Sequence, residues 1–417
     1  MRGKRWKGFE GSGVRGFEGS GVPGLESEPS NPRTLELPNP KNSFFMDAIQ
    51  MVDLKRQYLK IKAEIDQGIL EVLDTTAYIN GPKVKAFQEG LQHYLRAQHV
   101  IPCANGTDAL QIAMMALDLQ PGDEVIVPAF TYVATAEVIA LLRLKPVMVD
   151  VDYDTFNLTA DIVAAAITPR TKAIVPVNLF GQSCDLEPIM ALAQERGLWV
   201  IEDNAQAIGA DYTFSDGSTA KTGTIAHIGC TSFYPSKNLG AYGDGGAIST
   251  NRADLAQRMQ MIANHGQGRR YYHDAVGVNS RLDSIQAVVL GVKLQHLDEY
   301  AAARRAAADF YDRAFAGLDW VQTPVRHPRS THVFHQYTLL VKNGQRDALQ
   351  AHLQQKGVPS MIYYPVPLYA QDAFRSFTEV EHLPITEQLC QEVISLPMHT
   401  ELDQEQLHYI AETVKSC

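Results

Sequence analysis

The sequence is poor in the residue patterns from which disulfide frameworks and zinc sites are built. Its five cysteines, Cys103, Cys184, Cys230, Cys390 and Cys417, are scattered singly, and none takes part in a CxxC or CxxxH spacing. An odd, dispersed set of thiols favours neither a disulfide-stabilised fold nor a structural metal site. We therefore predict no metal, and a reducing cytoplasm fits this cysteine usage best.

The chain also lacks a surplus of positive charge and long apolar runs. It has 37 Lys and Arg residues against 47 Asp and Glu residues, which gives a formal net charge of -10. This balance argues against a nucleic-acid partner, because binding to phosphates rewards basic side chains. No segment offers the roughly eighteen consecutive apolar residues of a membrane helix, so no membrane association is predicted.

The first 45 residues differ in composition from the rest of the chain. KGFEGSGV is followed by the near-repeat RGFEGSGV, and the segment that comes next is rich in proline, glycine and serine. Linker composition of this kind does not supply a hydrophobic core, and no apolar run resembles a signal peptide. We predict a disordered extension over 1–45, with Met46 as a candidate start of the native protein.

From Met46 onward, apolar strand patterns alternate with helical patterns. Strands are predicted at VIPCA, EVIVPA, PVMVDVD, KAIVPVNLF and LWVIEDNA, with one long helix over 280–315. Continuously apolar strands between helices are typical of a mostly parallel sheet covered on both faces. The predicted fold class is therefore α/β, with a large domain over 46–318 and a smaller C-terminal α/β domain over 319–417 that includes the strands HQYTLLV and VPSMIYYPV.

Two polar features follow the first two predicted strands. Gly106, Thr107 and Asp108 lie at a strand-to-helix turn in ANGTDAL, where free backbone N–H groups and the helix dipole favour an anion such as phosphate. An ordinary helix cap is the alternative interpretation of this turn. Tyr132 follows the next strand in VPAFTYVATAE, where its ring either stacks on a flat ligand or belongs to the core.

Two further polar features come later in the chain. Glu202 and Asp203 end a very apolar strand in VIEDNAQA, at the edge of a parallel sheet where ligand crevices form. Ser232 and Lys237 belong to SFYPSKNLGAYGDGG, in which the lysine is framed by aromatic residues and a glycine-rich loop. Taken singly, Asp203 has a helix cap as its alternative interpretation, and a solvated lysine on a turn is the ordinary explanation of Lys237.

Together, the four features predict a site for pyridoxal 5'-phosphate (PLP). This cofactor needs a lysine for its aldehyde, a carboxylate against its pyridine nitrogen, a cradle for its phosphate and an aromatic ring for stacking. Each requirement has a candidate residue in the chain. A protonated ring nitrogen makes the cofactor an electron sink, so the carboxylate has an electronic function that an amide cannot fully replace.

The same segments carry a resemblance to a known family. The chain resembles the nucleotide-sugar aminotransferases of the DegT/StrS type in the segments CANGTDAL, PAFTYVATAE, PVNLFGQ, IEDNAQAIGA, SFYPSKNLGAYGDGGA, NHGQ and NSRLDSIQA. The resemblance extends from Met51 to the C-terminus. It implies PLP fold type I, which is the fold of aspartate aminotransferase.

The resemblance also implies roles for individual residues around the cofactor ring. Lys237 is the implied Schiff-base lysine, and Asp203 is the implied partner of the pyridine nitrogen. Gln206 is implied to lie near the ring hydroxyl, and Tyr132 is the implied stacking aromatic residue. Lys237 is thus the implied catalytic residue, and it also belongs to the cofactor-binding set.

Further residues are implied to bind the cofactor phosphate. Thr107, Asp108 and Ser232 match the family's phosphate contacts, beside the turn at Gly106. Asn279, in VGVNSRLD, matches a residue that reaches the phosphate of the neighbouring subunit's cofactor. The resemblance therefore implies a homodimer with shared active sites.

Three positions bear on the substrate. Asn178 stands where relatives often carry histidine, and Tyr363 takes the first position of what is commonly an HYP motif. HGQGRRYYHDAVGVNSRLDSIQA most closely resembles enzymes that aminate C3 of a UDP-linked 2-acetamido-3-keto-uronic acid. Arg281 falls where such an enzyme uses a guanidinium of the neighbouring subunit against the substrate, with nucleotide phosphate as the alternative ligand.

These features predict transfer of an amino group from an amino acid, expected to be glutamate, to that nucleotide-linked keto sugar, in polysaccharide biosynthesis such as that of lipopolysaccharide O-antigen. One alternative is an aminotransferase for a neutral dTDP-linked keto-6-deoxyhexose, and another is a catalytically silent PLP-binding regulatory protein. Lys237 argues against a PLP-dependent sugar dehydratase, because those relatives carry histidine there. A dinucleotide-binding protein is disfavoured, since no G-x-G-x-x-G follows the first strand.

Overall fold

The computed structural model describes residues 47–417. The extension predicted over 1–45 lies outside these residues. Within the described range, none of the helices combines the length and the apolar character that crossing a membrane requires. The same range contains no group of three or more His, Cys, Asp or Glu side chains arranged to hold a metal ion.

Strands and helices alternate along much of the chain. The β-strands of the described residues are β1 His99–Cys103, β2 Glu124–Pro128, β3 Lys145–Val149, β4 Thr171–Ile174, β5 Trp199–Asp203, β6 Asp211–Thr213, β7 Thr219–Lys221, β8 Ile228–Ser232, β9 Gly246–Thr250, β10 Gln267–Arg269, β11 Tyr272–His273, β12 Val321–Gln322, β13 Tyr337–Val341 and β14 Val393–Leu396. The α-helices are α1 Leu54–Thr75, α2 Pro82–Leu95, α3 Gly106–Ala116, α4 Ala134–Leu141, α5 Ala160–Ala166, α6 Leu186–Arg196, α7 Ala253–Ala263, α8 Ser284–Leu294, α9 Leu297–Phe315, α10 Arg346–Gln355, α11 Pro384–Glu392 and α12 Gln404–Lys415.

The central sheet has seven strands in the order β1-β9-β8-β5-β4-β2-β3. Strands β8, β5, β4, β2 and β3 pair in parallel, whereas β9 runs antiparallel to β1 and β8. Val125 and Val127 of β2 pack with α3 and α7 on one face, and Ile126 packs with α6 on the other. Both faces of the sheet are therefore covered, which explains the continuously apolar strands. The predicted α/β class with a mostly parallel sheet is confirmed.

The long helix predicted over 280–315 is two helices in the structure. Helix α8 ends at Leu294 and α9 begins at Leu297, and the backbone between them leaves helical geometry at His296, with φ -103° and ψ 2°. Helix α8 packs against α2, whereas the second half of α9 packs against the C-terminal strands β13 and β14. Because of this break, the two consecutive helices pack into two separate hydrophobic clusters. The apolar periodicity of the sequence alone does not reveal where the helix is interrupted.

The C-terminal part contains a second, antiparallel sheet of β12, β13 and β14. The predicted strand VPSMIYYPV is not one of them, and it contributes only an isolated bridge from Met361 to Ser395. Its two tyrosines line a cavity instead, and Pro365 has no N–H for a strand ladder. Because α9 shares a hydrophobic cluster with β13 and β14, the domain boundary near residue 318 stays a prediction.

A buried guanidinium joins α9 to the C-terminal segments. Nη1 of Arg304 donates to the carbonyl oxygens of Phe334 at 3.0 Å, His335 at 3.4 Å and Met398 at 2.9 Å. Burial lowers the pKa of Arg304 to about 10, so the side chain stays protonated at neutral pH. Arg304 therefore holds the loop before β13 against α9.

We expect Arg304→Met to lower the free energy of unfolding by about 3 kcal/mol, because three buried carbonyl oxygens lose their donor. Urea denaturation followed by circular dichroism measures this change. Arg313→Met is the matched control, since Arg313 is exposed on the same helix, and we expect it to change stability by less than about 0.5 kcal/mol. Equal losses in both variants would contradict the role of the buried guanidinium.

Candidate active site

The codirectional strands of the central sheet bring the predicted site residues to one edge. Gly106 follows β1, Tyr132 follows β2, Asp203 ends β5 and Ser232 ends β8. Strand β1 runs in the direction of β8, because both pair antiparallel with β9. These four residues and Lys237 line one cavity of about 860 Å³. The carboxyl ends of parallel strands are where α/β sheets bind ligands.

The turn before α3 offers an anion-binding site. Asn105 caps the helix, since its Oδ1 accepts a hydrogen bond from the backbone N–H of Asp108 at 2.8 Å. Neither Thr107 nor Asp108 is therefore the cap, and both line the cavity. A Cβ on Gly106 would lie 2.6 Å from Cβ of Ser232, so glycine is needed for α3 to approach β8 this closely. The helix N-terminus and nearby hydroxyls together suit a phosphate.

Asp203 is fixed and buried at the end of β5. Its Oδ2 accepts a hydrogen bond from Oγ1 of Thr135 at 2.8 Å, and its Oδ1 accepts one from the backbone N–H of Ala205 at 3.1 Å. Burial raises the pKa of Asp203, while these hydrogen bonds and the positive charge of Lys237 act in the opposite direction. The carboxylate is held in one orientation, which suits a contact with a cationic ring nitrogen.

Lys237 lies on the loop between β8 and β9. Its backbone N–H donates to the carbonyl oxygen of Tyr234 at 2.8 Å, and its Nζ lies 3.5 Å from Nε2 of His335. Burial lowers the pKa of Lys237 to about 8, and the negative charge of Asp203 partly opposes this shift. An appreciable fraction of the amine is thus neutral near physiological pH, as a nucleophile requires.

Gln206 and two tyrosines form a further wall of the cavity. Oε1 of Gln206 accepts a hydrogen bond from the backbone N–H of Phe180 at 2.7 Å, and its Nε2 donates to the hydroxyl of Tyr364 at 3.2 Å. The rings of Tyr364 and Tyr132 are tilted, with centroids 6.4 Å apart. Tyr132 is 58% exposed, so its ring faces the cavity rather than the core and is free to stack on a ligand.

Asn178 does not lie in the cavity, contrary to the substrate-binding position predicted for it. Its side chain is 0% exposed, and its Nδ2 donates to Oε1 of Glu202 at 2.7 Å and to Oδ1 of Asn204 at 3.1 Å. Its Oδ1 accepts a hydrogen bond from the backbone N–H of Cys184 at 3.0 Å. Both ends of the amide are therefore occupied inside the protein. Tyr363, by contrast, lines the cavity as expected for a substrate contact.

Asn279 and Arg281 also lie outside the cavity of their own chain. Asn279 is exposed and pairs through its backbone with Asn264. Nη1 of Arg281 donates to Oδ1 of Asn264 at 3.2 Å, and Arg281 lines a separate cleft between α2 and α7. The predicted roles of Asn279 and Arg281 in a neighbouring subunit stay predictions.

Sequence reasoning missed four residues of the site. His335, Gln336 and Tyr364 line the cavity, and Thr135 contacts Asp203 from the first turn of α4. The only local signal was the polar pair that opens HQYTLLV and the second tyrosine of YYPVPL. His335, Gln336 and Tyr364 belong to the C-terminal part of the chain and reach the site through tertiary contacts, whereas Thr135 is brought to Asp203 by α4.

A profile of the DegT/DnrJ/EryC1/StrS aminotransferase family matches residues 59–415. The chain belongs to this family. The predicted resemblance is therefore confirmed, and with it the assignment as a sugar aminotransferase rather than a protein of another enzyme class.

Two relatives that are named as aminotransferases of UDP-linked sugars are similar to this chain over most of its length. UDP-2-acetamido-2-deoxy-3-oxo-D-glucuronate aminotransferase of Pseudomonas aeruginosa is 48% identical over 355 residues, which are 85% of this chain and 96% of that protein. UDP-N-acetyl-3-dehydro-alpha-D-glucosamine 3-aminotransferase of Acidithiobacillus ferrooxidans is 44% identical over 368 residues, which are 88% of this chain and 97% of that protein.

A solved structure confirms the fold type and the cofactor class. NtdA of Bacillus subtilis, which was solved with bound PMP, superposes with a TM-score of 0.82 at 29% identity, over 89% of this chain and 85% of that chain. PMP, pyridoxamine phosphate, is the aminated form of PLP. The fold predicted from the sequence is thus shared with a solved structure that binds PMP.

We expect Thr135→Val to raise the pKa of Asp203, because the hydrogen bond that favours its charged form is lost. A carboxyl group with a higher pKa becomes protonated at higher pH, so activity is lost earlier on acidification. The acid limb of the plot of kcat against pH should move to higher pH by about half a pH unit to one pH unit.

Thr135→Ser keeps the hydroxyl donor and is the matched control for the methyl group. Its pH profile should coincide with that of the wild type. Coincident profiles for the valine variant, the serine variant and the wild type would show that Thr135 does not tune the Asp203 carboxyl.

Proposed function

We propose that this protein transfers the amino group of glutamate to C3 of a UDP-linked 2-acetamido-3-keto-uronic acid. The observation that carries the aminotransferase chemistry is the convergence of Lys237, Asp203 and the turn at 106–108 on one cavity. The relative named for a UDP-linked 3-oxo-glucuronate, at 48% identity, supports the choice of sugar. The amino sugar would serve polysaccharide biosynthesis such as that of lipopolysaccharide O-antigen.

The residues present fit the needs of the cofactor. The N-terminus of α3 and the hydroxyl of Ser232 would hold its phosphate, Asp203 its ring nitrogen and Gln206 its ring hydroxyl, while Tyr132 would stack on the ring. When bound, PLP supplies an electron sink that stabilises negative charge next to the amino nitrogen. The buried carboxylate of Asp203 keeps that sink effective by favouring a protonated ring.

Lys237 would hold the cofactor and, once released from it, carry a proton between substrate and cofactor carbons. Burial lowers the pKa of its amine to about 8, so the amine accepts and returns a proton near neutral pH. A positioned group of this kind contributes typically about 10²–10⁴ to the rate. The same residue therefore serves as anchor and as general base.

The proposed active enzyme is a homodimer in which each subunit completes the other's site. Asn279 and Arg281 lie outside the cavity that holds Lys237, although the family resemblance assigns them to cofactor phosphate and substrate. Both roles are compatible with this position only if the two residues act on the cavity of a second copy. The dimer is thus proposed as a condition of activity.

Mixing two inactive variants tests the shared site. Lys237→Ala lacks the essential amine and Asn279→Ala lacks the phosphate contact, so each homodimer should be inactive or nearly so. A mixed dimer has one site with both residues intact, and equal mixing should restore about a quarter of wild-type activity. Turnover is measured after refolding equal amounts of two differently tagged chains.

Mixed dimers isolated through both tags serve as the control for assembly. If they form and no activity returns, Asn279 does not act across the dimer. Activity in the Lys237→Ala homodimer would instead contradict the catalytic role of Lys237 itself.

Arg281 is the proposed reader of the uronate carboxylate. A guanidinium matches a carboxylate with two parallel hydrogen bonds, which a lysine ammonium cannot reproduce. In this chain Arg281 makes one hydrogen bond, to Asn264, and faces no carboxylate within ion-pair distance among the described residues. The other N–H groups of its guanidinium are therefore available for a substrate group, with the nucleotide phosphate as the competing assignment.

We expect Arg281→Lys to lower kcat/KM for the UDP-linked uronate by about 30-fold, because a bidentate charged contact is lost. The matched substrate with an uncharged C6 should lose less than about threefold. Arg258 lies on α7 and forms an ion pair with Asp118, and Arg258→Lys is the control for a remote arginine that should change neither value. Equal losses on both substrates would assign Arg281 to the nucleotide and remove the preference for the uronate.

The cytoplasm is the proposed location. The cysteines of the described residues are all free, and four of the five are buried. Disulfides form in oxidising compartments, so unpaired thiols are in keeping with a reducing one.

A further inference from the structure

One ionisable side chain in the Lys237 cavity has no part in the function proposed above. His335 lies just before β13, is 5% exposed, and places Nε2 at 3.5 Å from Nζ of Lys237. Its other ring nitrogen, Nδ1, is buried without a hydrogen-bond partner among the described residues. The polar contacts of the ring are therefore concentrated at Nε2, on the side of the lysine.

The backbone around His335 is held in place from several directions. Arg304 donates to the carbonyl oxygen of His335 at 3.4 Å, and the backbone N–H of Gln336 donates to the carbonyl oxygen of Phe180 at 3.3 Å. Gly181 has φ +109°, and a Cβ there would lie 2.8 Å from the backbone nitrogen of His335. The imidazole is thus presented to the cavity by a rigid support.

The charge state of His335 follows from its surroundings. Burial is the main cause that holds its pKa well below the usual range, and the cationic Lys237 and Arg304 act in the same direction. A neutral imidazole has one donor nitrogen and one acceptor nitrogen. Nζ of Lys237 and Nε2 of the Gln336 amide lie 3.5 Å and 3.4 Å from Nε2 of His335, and since both groups are hydrogen-bond donors, they favour Nε2 as the acceptor nitrogen.

We propose that His335 is the positioning residue for Lys237, whose amine donates a hydrogen bond to Nε2 of the imidazole. This inference rests on the proposed function, in which the released lysine carries a proton. A lysine side chain has several rotatable bonds. A hydrogen bond at its end restricts the amine to fewer rotamers and so lowers the entropic cost of bringing it to the reacting carbon. A neutral acceptor does this without adding a charge that competes with Asp203.

The test measures the amine of Lys237 directly, in the full-length protein freed of cofactor. Acetylation by a limiting reagent at a series of pH values, with the modified lysine quantified by mass spectrometry, gives the pKa of the amine. We expect His335→Leu to lower that pKa by about one unit, because the ammonium loses a hydrogen-bond acceptor. His335→Gln should restore at least half of the shift, since its side-chain amide can offer an oxygen as acceptor.

His332 provides the matched control. It is 7% exposed and lies three residues upstream, where its Nδ1 accepts a hydrogen bond from the backbone N–H of Phe334 at 3.0 Å. His332→Leu should therefore disturb packing to a similar degree and leave the pKa of Lys237 unchanged. An unchanged or raised pKa in His335→Leu overturns the proposal, and so does an equal shift in His332→Leu.

A kinetic measurement gives the second readout. In His335→Leu, kcat with glutamate should fall about tenfold with little change in KM, because the residue acts on proton transfer rather than on binding. The acetylation assay contains neither cofactor nor sugar, so a failure of the substrate assignment leaves its result intact. Conversely, a wild-type acetylation profile in His335→Leu removes this proposal without touching the role of Lys237.

Discussion

The site depends on placing an amine and a carboxylate of opposite charge in a poorly solvated cavity. Burial raises the pKa of Asp203 and lowers that of Lys237, and the attraction between the two groups opposes both shifts. The amine of Lys237, with a pKa of about 8, can therefore be charged or neutral near physiological pH. The hydrogen bond from Thr135 and the contact with His335 act on this same balance, one on each partner.

The scaffold meets this requirement by bringing distant segments to one sheet edge. The carboxylate of Asp203 ends β5 and the turn at Gly106 follows β1, whereas the imidazole of His335 comes from the segment before β13. That segment is held by Arg304 of α9, so the long helix that packs against the C-terminal sheet also supports the catalytic cavity. Stability of the C-terminal part and geometry of the site are thus coupled through one buried guanidinium.

Asn178 and Tyr363 differ in where their side chains lie relative to the cavity. Asn178 uses both ends of its amide inside the protein, where it donates to the side chains of Glu202 and Asn204 and accepts from the backbone N–H of Cys184. Tyr363 lines the cavity. Two positions that depart from the family pattern in the sequence therefore differ in place, and only Tyr363 lines the cavity.

Local pattern determined much of this protein. Apolar runs predicted the strands of the parallel sheet, and short motifs predicted Lys237, Asp203 and the turn at Gly106. Both kinds of signal are local, because the periodicity of apolar residues and the residue types of a turn depend on neighbours in sequence. Only the tertiary structure decided the break at His296 and the partner of Lys237. His335 is 98 residues from Lys237 in sequence. Their contact arises from the packing of whole helices and strands, and the local periodicity of the sequence carries no information about it.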